Sequence, residues 1–521
     1  MTKCRGVPRC APSRQGGHLA HSRLGKSVRR ILFSLALAFA FLSAQIATPQ
    51  SPTPQPIRLD PKNPHYLLFR GKTIALITSG EHYGSVLNAD IDFHKYLATI
   101  DSDGLNYTRI FGGSYIEVPA KSFGILRNDL APRPGRYIAP WARSETPGYA
   151  GGGNKFDLTK WNPDFFERYR AFLADASKRG IVVEISLFSS HYDEMMWRIS
   201  ALNPANNVNG TTEIEWKKLH TLENGNIIEF QEKYARKLVV EAKGFDNVIF
   251  EIQNEPWSDR GTLTDVVNPY LFTGRDTYPN SVDIADNLSV AWQTRVAGWI
   301  RQEESSLPNH HLIAQNYGNF RVSIRKLVPG VDVANFHYAY PEAVSLNYGL
   351  DKAIAYDETG FLGRDDDGYR RQAWNFMLSG GGIFDALDYS FSPGHEDGAD
   401  LEPNGPGGGS PTFRHQLHIL REFLGKFSLA DLRPDPTAVK HAAGVTPRVL
   451  ATPTHEYAIY LDGNGPTELT LTIPPGRYTA EWLNSKTGAT EKSESFQQPV
   501  GTATLQSPPF ENGVALRLVK Q

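Results

Sequence analysis

Val248-Ile249-Phe250-Glu251-Ile252-Gln253-Asn254-Glu255-Pro256 is the stretch on which the fold turns. Strand-forming apolar residues run into a polar group that ends at a proline. An apolar run of this length bounded by turn residues predicts a strand buried on both faces, as in a parallel sheet. Proline has no N–H to give to a ladder and marks the strand end. The reading places Asn254 and Glu255 at the carboxyl end of a buried parallel strand, where α/β proteins carry their chemistry.

Seven similar runs flank this one: Ile74–Ile77, Leu105–Phe111, Ile181–Phe188, Leu312–Gln315, Val331–Phe336, Ala353–Tyr356 and Ile383–Leu387. Between most of them lie segments with helical periodicity, at Phe93–Ile100, Asn162–Gly180, Ile228–Ala242, Val282–Ser305, Tyr369–Leu378 and Phe413–Phe427. Asn162-Pro163 and Gly180 are start and stop signals for the second of these. Eight short apolar strands alternating with helices predict an α/β fold, a (β/α)8 TIM barrel, over residues 57–430. The stretches from Gly113 to Lys160 and from Ser189 to Thr221 read as long loops over the active face. After Arg433-Pro434-Asp435-Pro436 the period changes to two. Val449–Thr452, Glu456–Leu461, Glu468–Ile473, Tyr478–Leu483 and Ala515–Val519 predict a C-terminal all-β sandwich domain over residues 436–521, packed as a rigid neighbour because the linker is short.

At 521 residues and 40% hydrophobic content the chain is long enough for a sizeable core. A net charge of −2 and the lack of a basic stripe argue against nucleic acid as a partner. Arg23, Lys26, Arg29 and Arg30 precede the apolar run Ile31–Leu42, then Ser43 and Ala44. That order predicts a signal peptide over residues 1–44, followed by a flexible leader over 45–56, and export to the periplasm or beyond. The run is short for a bilayer, so no stable membrane insertion is expected after cleavage. Both cysteines, Cys4 and Cys10, lie upstream of the run, which removes thiol chemistry and cysteine–zinc sites from the mature chain.

The barrel reading gathers scattered polar residues onto one face: His82, Arg109, His191, Asn254, Glu255, His337 with Tyr338 or Tyr340, Glu358, and Asp388 with Tyr389. Two glutamates that end the fourth and seventh strands suit retaining glycoside hydrolysis, in which two carboxyl groups stand about 5 Å apart across the scissile bond. Glu184 and Glu251 fall inside strands and read as charges of the barrel core. His395-Glu396-Asp397 with Asp400 reads as a solvated loop rather than a metal loop, and no metal or cofactor is expected.

On these motifs the chain resembles the clan A retaining glycoside hydrolases, most nearly the cellulase-like ones, from Ile57 to Phe427. Asn254-Glu255-Pro256 matches the acid/base motif of that clan and Glu358 its nucleophile. Arg109 resembles the second-strand arginine that holds the nucleophile, and His337 with a nearby tyrosine resembles the sixth-strand pair. The resemblance implies a carbohydrate substrate, Glu358 kept ionised by Arg109, Glu255 protonated on substrate arrival, and Asn254 on the sugar 2-hydroxyl. His82, His191, Tyr338, Tyr340 and Tyr389 complete the expected substrate contacts. The usual eighth-strand tryptophan is replaced by Asp388, Tyr389 and Phe391, which leaves Tyr389 or Phe391 as the aromatic platform. Glu481-Trp482-Leu483-Asn484-Ser485-Lys486-Thr487-Gly488 resembles small β-domains of the collagen-binding type. The rival reading is a carbohydrate-binding or adhesion barrel without catalysis.

Overall fold

In the computed structural model, residues 55–119, 122–266 and 281–521 are described. The expected signal peptide and all but the last two residues of the leader lie outside them. Eight parallel strands form the central sheet: β1 Leu76–Gly80, β2 Tyr107–Phe111, β3 Val182–Ser189, β4 Val248–Asn254, β5 Leu312–Asn319, β6 Val333–His337, β7 Ala353–Glu358 and β8 Ile383–Leu387. They follow one another in sequence order around the sheet, and β8 returns to pair with β1 over five residue pairs, Ile383 with Leu76 to Leu387 with Gly80. β1 and β2 are joined at one residue, Asn106, instead of by a ladder; its backbone N–H makes a long bond of 3.5 Å to the Ile77 carbonyl, and its side chain makes two more. Asn106 donates to the Ala75 carbonyl and accepts from the Ile77 N–H, both at 2.9 Å. The expected barrel is therefore present, with a seam at Asn106.

The N-terminal ends of all eight strands meet an apolar plug. Ile57, Leu67 and Phe69 pack against Leu76, Tyr107, Val182, Ile249, Leu312, Val333, Ala353 and Ile383. The plug is a small antiparallel sheet of Arg58–Leu59, Leu67–Phe69 and Lys72–Ile74. Ile74, expected to open the first barrel strand, ends the plug instead, and the barrel strand starts two residues later. With one end plugged, any ligand has to enter at the carboxyl ends of the strands.

Two other expectations change. The first insertion is not all loop. Trp141–Pro147 pairs antiparallel with Asn154–Trp161, turning at Gly148–Gly153. The helix expected over 282–305 begins at Asn287, because Ser281–Ala285 pairs with Gly261–Asp265 and Asp286 caps the helix by accepting from the Ser289 N–H. The helix over Pro163–Arg179 has the expected ends, with Asn162 accepting from the Asp164 N–H and Gly180 in the left-handed region at φ 74°.

The C-terminal region holds a six-stranded and a three-stranded antiparallel sheet, beginning at Arg433. Their shared core includes Tyr478, Trp482 and Leu516. A second set of their residues, Leu450, Ala458, Tyr460, Leu483 and Ala515, is buried in the barrel's own hydrophobic cluster. Trp374 of the helix Asp366–Met377 stacks on Tyr460 at 5.3 Å, Arg371 pairs with Asp462 at 2.7 Å, and Arg370 donates to Ser485 at 2.8 Å. This packing agrees with the expectation of a rigid neighbour, and residues 54–521 form one compact unit.

Candidate active site

Arg109 organises the carboxyl ends of the strands. It projects from β2, is 1% exposed, and sits over the ring of Tyr83 at 4.8 Å. Its Nη2 donates to Glu251 at 2.6 Å and to the Asn254 side-chain oxygen at 2.7 Å, and its Nη1 donates to Glu358 at 3.2 Å. Burial alone would lower its affinity for the proton, but Glu251, Asp357 and Glu358 hold it well above the ordinary value. One cation thus fixes two residues of β4 and the end of β7.

Glu358 accepts from three donors: Arg109, the Tyr338 hydroxyl at 3.0 Å and the Tyr83 hydroxyl at 3.2 Å. Glu255 opposes it. Its backbone is left-handed, at φ 45°, with the N–H donated to Asn316 at 3.0 Å and the carbonyl accepting from Ser190 at 2.7 Å. Between the two carboxylates lies His337, whose Nδ1 is 2.8 Å from Glu255 and 3.5 Å from Glu358. One side-chain donor atom from each of these three residues falls within 4.8 Å of the others.

The protonation pattern departs from expectation. Burial pushes Glu358 above the usual carboxylate range, and the neighbouring Glu255 adds to this, against His337 and Arg109. Arg109 is shared with Glu251 and Asn254 and does not offset the burial of Glu358. His337 is drawn well above the ordinary imidazole value by Glu358 and Asp357, against burial. Its Nε2 nevertheless faces the Asn316 amide nitrogen at 2.9 Å, and the Asn316 oxygen is already held by the Glu255 N–H. The same Nε2 lies 3.7 Å from an Asp357 oxygen, and the Nδ1 proton is directed at Glu255.

Above this pair is a pocket that opens to solvent. His82, Asn254, Tyr338 and Tyr389 line it, together with Tyr83, Glu117, Phe123, Tyr192 and Phe361, which carry no signal in the sequence. Glu117 is buried, takes hydrogen bonds from Asn128 at 2.5 Å and Tyr115 at 3.1 Å, and is raised by burial to about 7. His82 has neither ring nitrogen partnered and is held neutral by burial, with its affinity lowered to about 3. Tyr389 lies 4.4 Å from it and its hydroxyl is likewise unpartnered. The Gly405–Gly409 loop closes over Tyr389 so tightly that a Cβ at Gly407 would sit 2.1 Å from the ring. Phe391 is not a platform; it is buried against Tyr96 and under Arg414. Asp388 is paired with Arg414 at 2.8 Å, outside the pocket lining.

Eleven non-glycine residues among those described have positive φ, and six of them line this pocket: Tyr83, Phe123, Tyr192, Glu255, Tyr338 and Phe361. Such conformations cost about 1–3 kcal/mol each and persist where the surroundings over-determine them. The turn at Tyr192, φ 62°, explains one difference from expectation. Tyr192 faces the pocket and accepts from Asn254 at 2.7 Å, while His191 lies behind the wall among Tyr115, Trp197 and His220. Tyr340 is also outside the pocket lining, beneath the guanidinium of Arg321. Tyr115, Tyr149, Trp197 and Trp257, aromatic residues in or beside the long loops, are buried and absent from the lining.

Glu184 and Glu251 are core charges with partners, as read: Glu184 takes the hydroxyl of Tyr107 and the amide of Asn335, and Glu251 takes Arg109. The 395–400 loop is less solvated than expected, since Glu396 accepts from the Asp92 N–H and Asp400 pairs with Arg127.

The sequence matches no family model and no curated protein. Solved structures do share its architecture. A glycoside hydrolase superposes with a TM-score of 0.57 at 13% identity, over 90% of this chain and 97% of its own. A glycoside hydrolase family 5 protein from Bacteroides vulgatus superposes with a TM-score of 0.58 at 13% identity, over 89% and 93%. At such identity the likeness is one of fold.

Proposed function

We propose that the chain is an exported retaining glycoside hydrolase that cleaves O-glycosidic bonds of a poly- or oligosaccharide. The observation that carries this is the pair Glu255 and Glu358, from opposite sides of the barrel mouth, whose donor oxygens come within 4.8 Å of each other. Retaining enzymes place the two carboxyl groups about 5 Å apart, and inverting ones leave room for a water between them.

Glu358 is the nucleophile in this reading. Tyr83, Tyr338 and Arg109 donate to it, and all three hydrogen bonds favour the anion that the substrate meets. Glu255 delivers a proton to the leaving oxygen as Glu358 bonds to the anomeric carbon and the glycosidic bond breaks. His337 Nδ1–H then stabilises the Glu255 carboxylate that remains. In the second step Glu255 takes a proton from water as the water oxygen bonds to the anomeric carbon and the bond to Glu358 breaks, so Glu358 is again a carboxylate and the product leaves with retained configuration. Asn254, fixed by Arg109 and Tyr192, is placed for the sugar 2-hydroxyl.

The glycone is neutral in this proposal. Three glutamates face the pocket and no lysine or arginine lines it among the described residues, so a uronate or sulfated sugar would enter unpaired. Phe123, Ile125, Asn128 and Leu130 of the first insertion wall the pocket, which fits a short or terminal unit. The charge and apolar order of residues 23–44 supports export. By the resemblance of residues 481–488, the C-terminal region is an accessory module of the collagen-binding type.

Azide rescue tests the assignment. Glu358→Ala with azide recovers turnover of an activated neutral aryl glycoside and gives the inverted glycosyl azide. Glu255→Ala keeps intermediate formation on good leaving groups and gives the retained azide, with a loss of about 10²–10⁴-fold on poor leaving groups. The same product configuration from both variants, or near-native rates in either on a poor leaving group, overturns the roles.

A further inference from the structure

Three side chains outside the pocket meet behind the wall that carries Glu255. His191 follows the end of β3, His220 comes from the second insertion, and Asp259 closes the short helix Pro256–Asp259 after β4. All three are buried, and one donor atom from each lies within 4.8 Å of the other two. The proposed reaction uses none of them.

The cluster is not satisfied by its own hydrogen bonds. Both ring nitrogens of His191 are buried without a partner, although the ring is only 3% exposed. The Gln253 side-chain oxygen is also buried and unpartnered, while its amide nitrogen sits 3.2 Å from the His220 ring. Buried polar atoms are partnered in the great majority of native sites, and two such groups beside one imidazole–carboxylate pair ask for an occupant. Asp259 already orders the surroundings. One of its oxygens accepts from the backbone N–H groups of His191 and Tyr192, and the other is 2.9 Å from His220 Nδ1.

We propose that His191, His220 and Asp259 bind one divalent transition-metal ion of the zinc class, with the Gln253 amide turned to present its oxygen as a fourth donor. Two imidazoles with a carboxylate are the donors such ions prefer, whereas calcium and magnesium seek oxygen-rich shells of six or more. The rings of Trp197 and Trp292 pack on His191 and His220, and all three donors are buried, which makes it a closed, structural site. It joins three chain segments, and Gln253 directly precedes Asn254. The ion therefore pins the second insertion to the strand end that presents Glu255.

The test uses the untagged full chain, stripped with a chelator and then offered zinc or cobalt. One ion per chain is expected to survive gel filtration, with a rise in Tm on the order of 5 °C. His191→Ala and His220→Gln lose both the ion and the rise, whereas Glu358→Gln keeps both and so separates this site from the Glu255–His337–Glu358 cluster. If neither histidine variant folds, zinc-edge X-ray absorption of the native chain decides, with two imidazole shells at about 2.0 Å expected. No ion retained at tens of micromolar zinc or cobalt, equal retention in the histidine variants, or a shell of oxygen alone overturns the proposal and leaves a bridging water in the site.

Discussion

Replacing Arg109 by methionine removes the guanidinium from a buried group of acids. Glu251, Asp357 and Glu358 all lie within 3.6 Å of its guanidinium, and each is at least nine-tenths buried. Methionine roughly fills the volume but leaves Glu251 without its two-pronged partner and Asn254 without its anchor. Breaking a buried ion pair by deleting one partner costs about 3–5 kcal/mol, because the remaining charge stays desolvated. For a chain of this size that lowers Tm by about 5–10 °C. The deficit depends on pH in a definite direction. With the cation gone the nearby carboxylates bind protons more tightly, so acid relieves the strain and the loss in Tm is larger at pH 8 than at pH 5. Calorimetry at the two pH values measures this, and Glu251→Gln added to Arg109→Met recovers part of the loss by removing the orphaned charge. A deficit below about 1 kcal/mol that is equal at both pH values refutes the reasoning.

Tyr338→Phe deletes the 3.0 Å hydrogen bond to Glu358, and a charge-assisted bond of about 1.5–3 kcal/mol predicts a fall in kcat of roughly 10–100-fold; a fall below twofold on a turned-over aryl glycoside contradicts it. Glu117→Gln bears on pH. Glu117 is raised from 4.5 to about 7 in the folded chain, so the native state holds a proton that the unfolded state has lost, and its contribution to stability falls as pH rises from 4.5 through 7. The variant has no such proton, and its Tm relative to the native chain should climb across that window; a constant difference from pH 4.5 to 8 rules this out. Tyr460→Ala empties the contact with Trp374 at a cost of about 3–5 kcal/mol and should lower one common calorimetric transition of barrel and C-terminal sheets. Two separate transitions, of which the substitution moves only one, would show that they unfold independently.

Much of this architecture is legible from the sequence because buried parallel strands are written as apolar runs. Ile249, Ile313, Ile354 and Phe384 each sit in such a run and each is fully buried. The polar residues that end such runs locate Asn254, Glu255, His337 and Glu358 for the same reason, and Arg109 stands out as a charge inside one of them. What escapes the reading depends on backbone turns that no apolar period encodes. Tyr83 and Tyr192 enter the pocket through positive φ angles, and Glu117 and Phe123 reach it from an insertion without period. His220 and Asp259 meet His191 only because three distant segments fold together. The strand Thr490–Gln498 is polar along most of its length because it lies at the edge of its sheet, so it shows no apolar alternation.

The seam at Asn106 has a consequence for how the chain is made. β1 has a full ladder with only one neighbour, β8, whose residues Ile383–Leu387 are synthesised some three hundred positions after Leu76–Gly80. At about 5–20 residues per second, that interval lasts on the order of 15–60 s. Throughout it, Leu76 and Ile77 belong to a strand with one edge unpaired and the other held at a single residue, Asn106, through its side chain and one long backbone hydrogen bond, the condition under which strands recruit the wrong partner. The first strand of the barrel is thus the last to be secured, and substitutions at Asn106 should show first in the yield of soluble chain during biosynthesis, before any effect on the finished site.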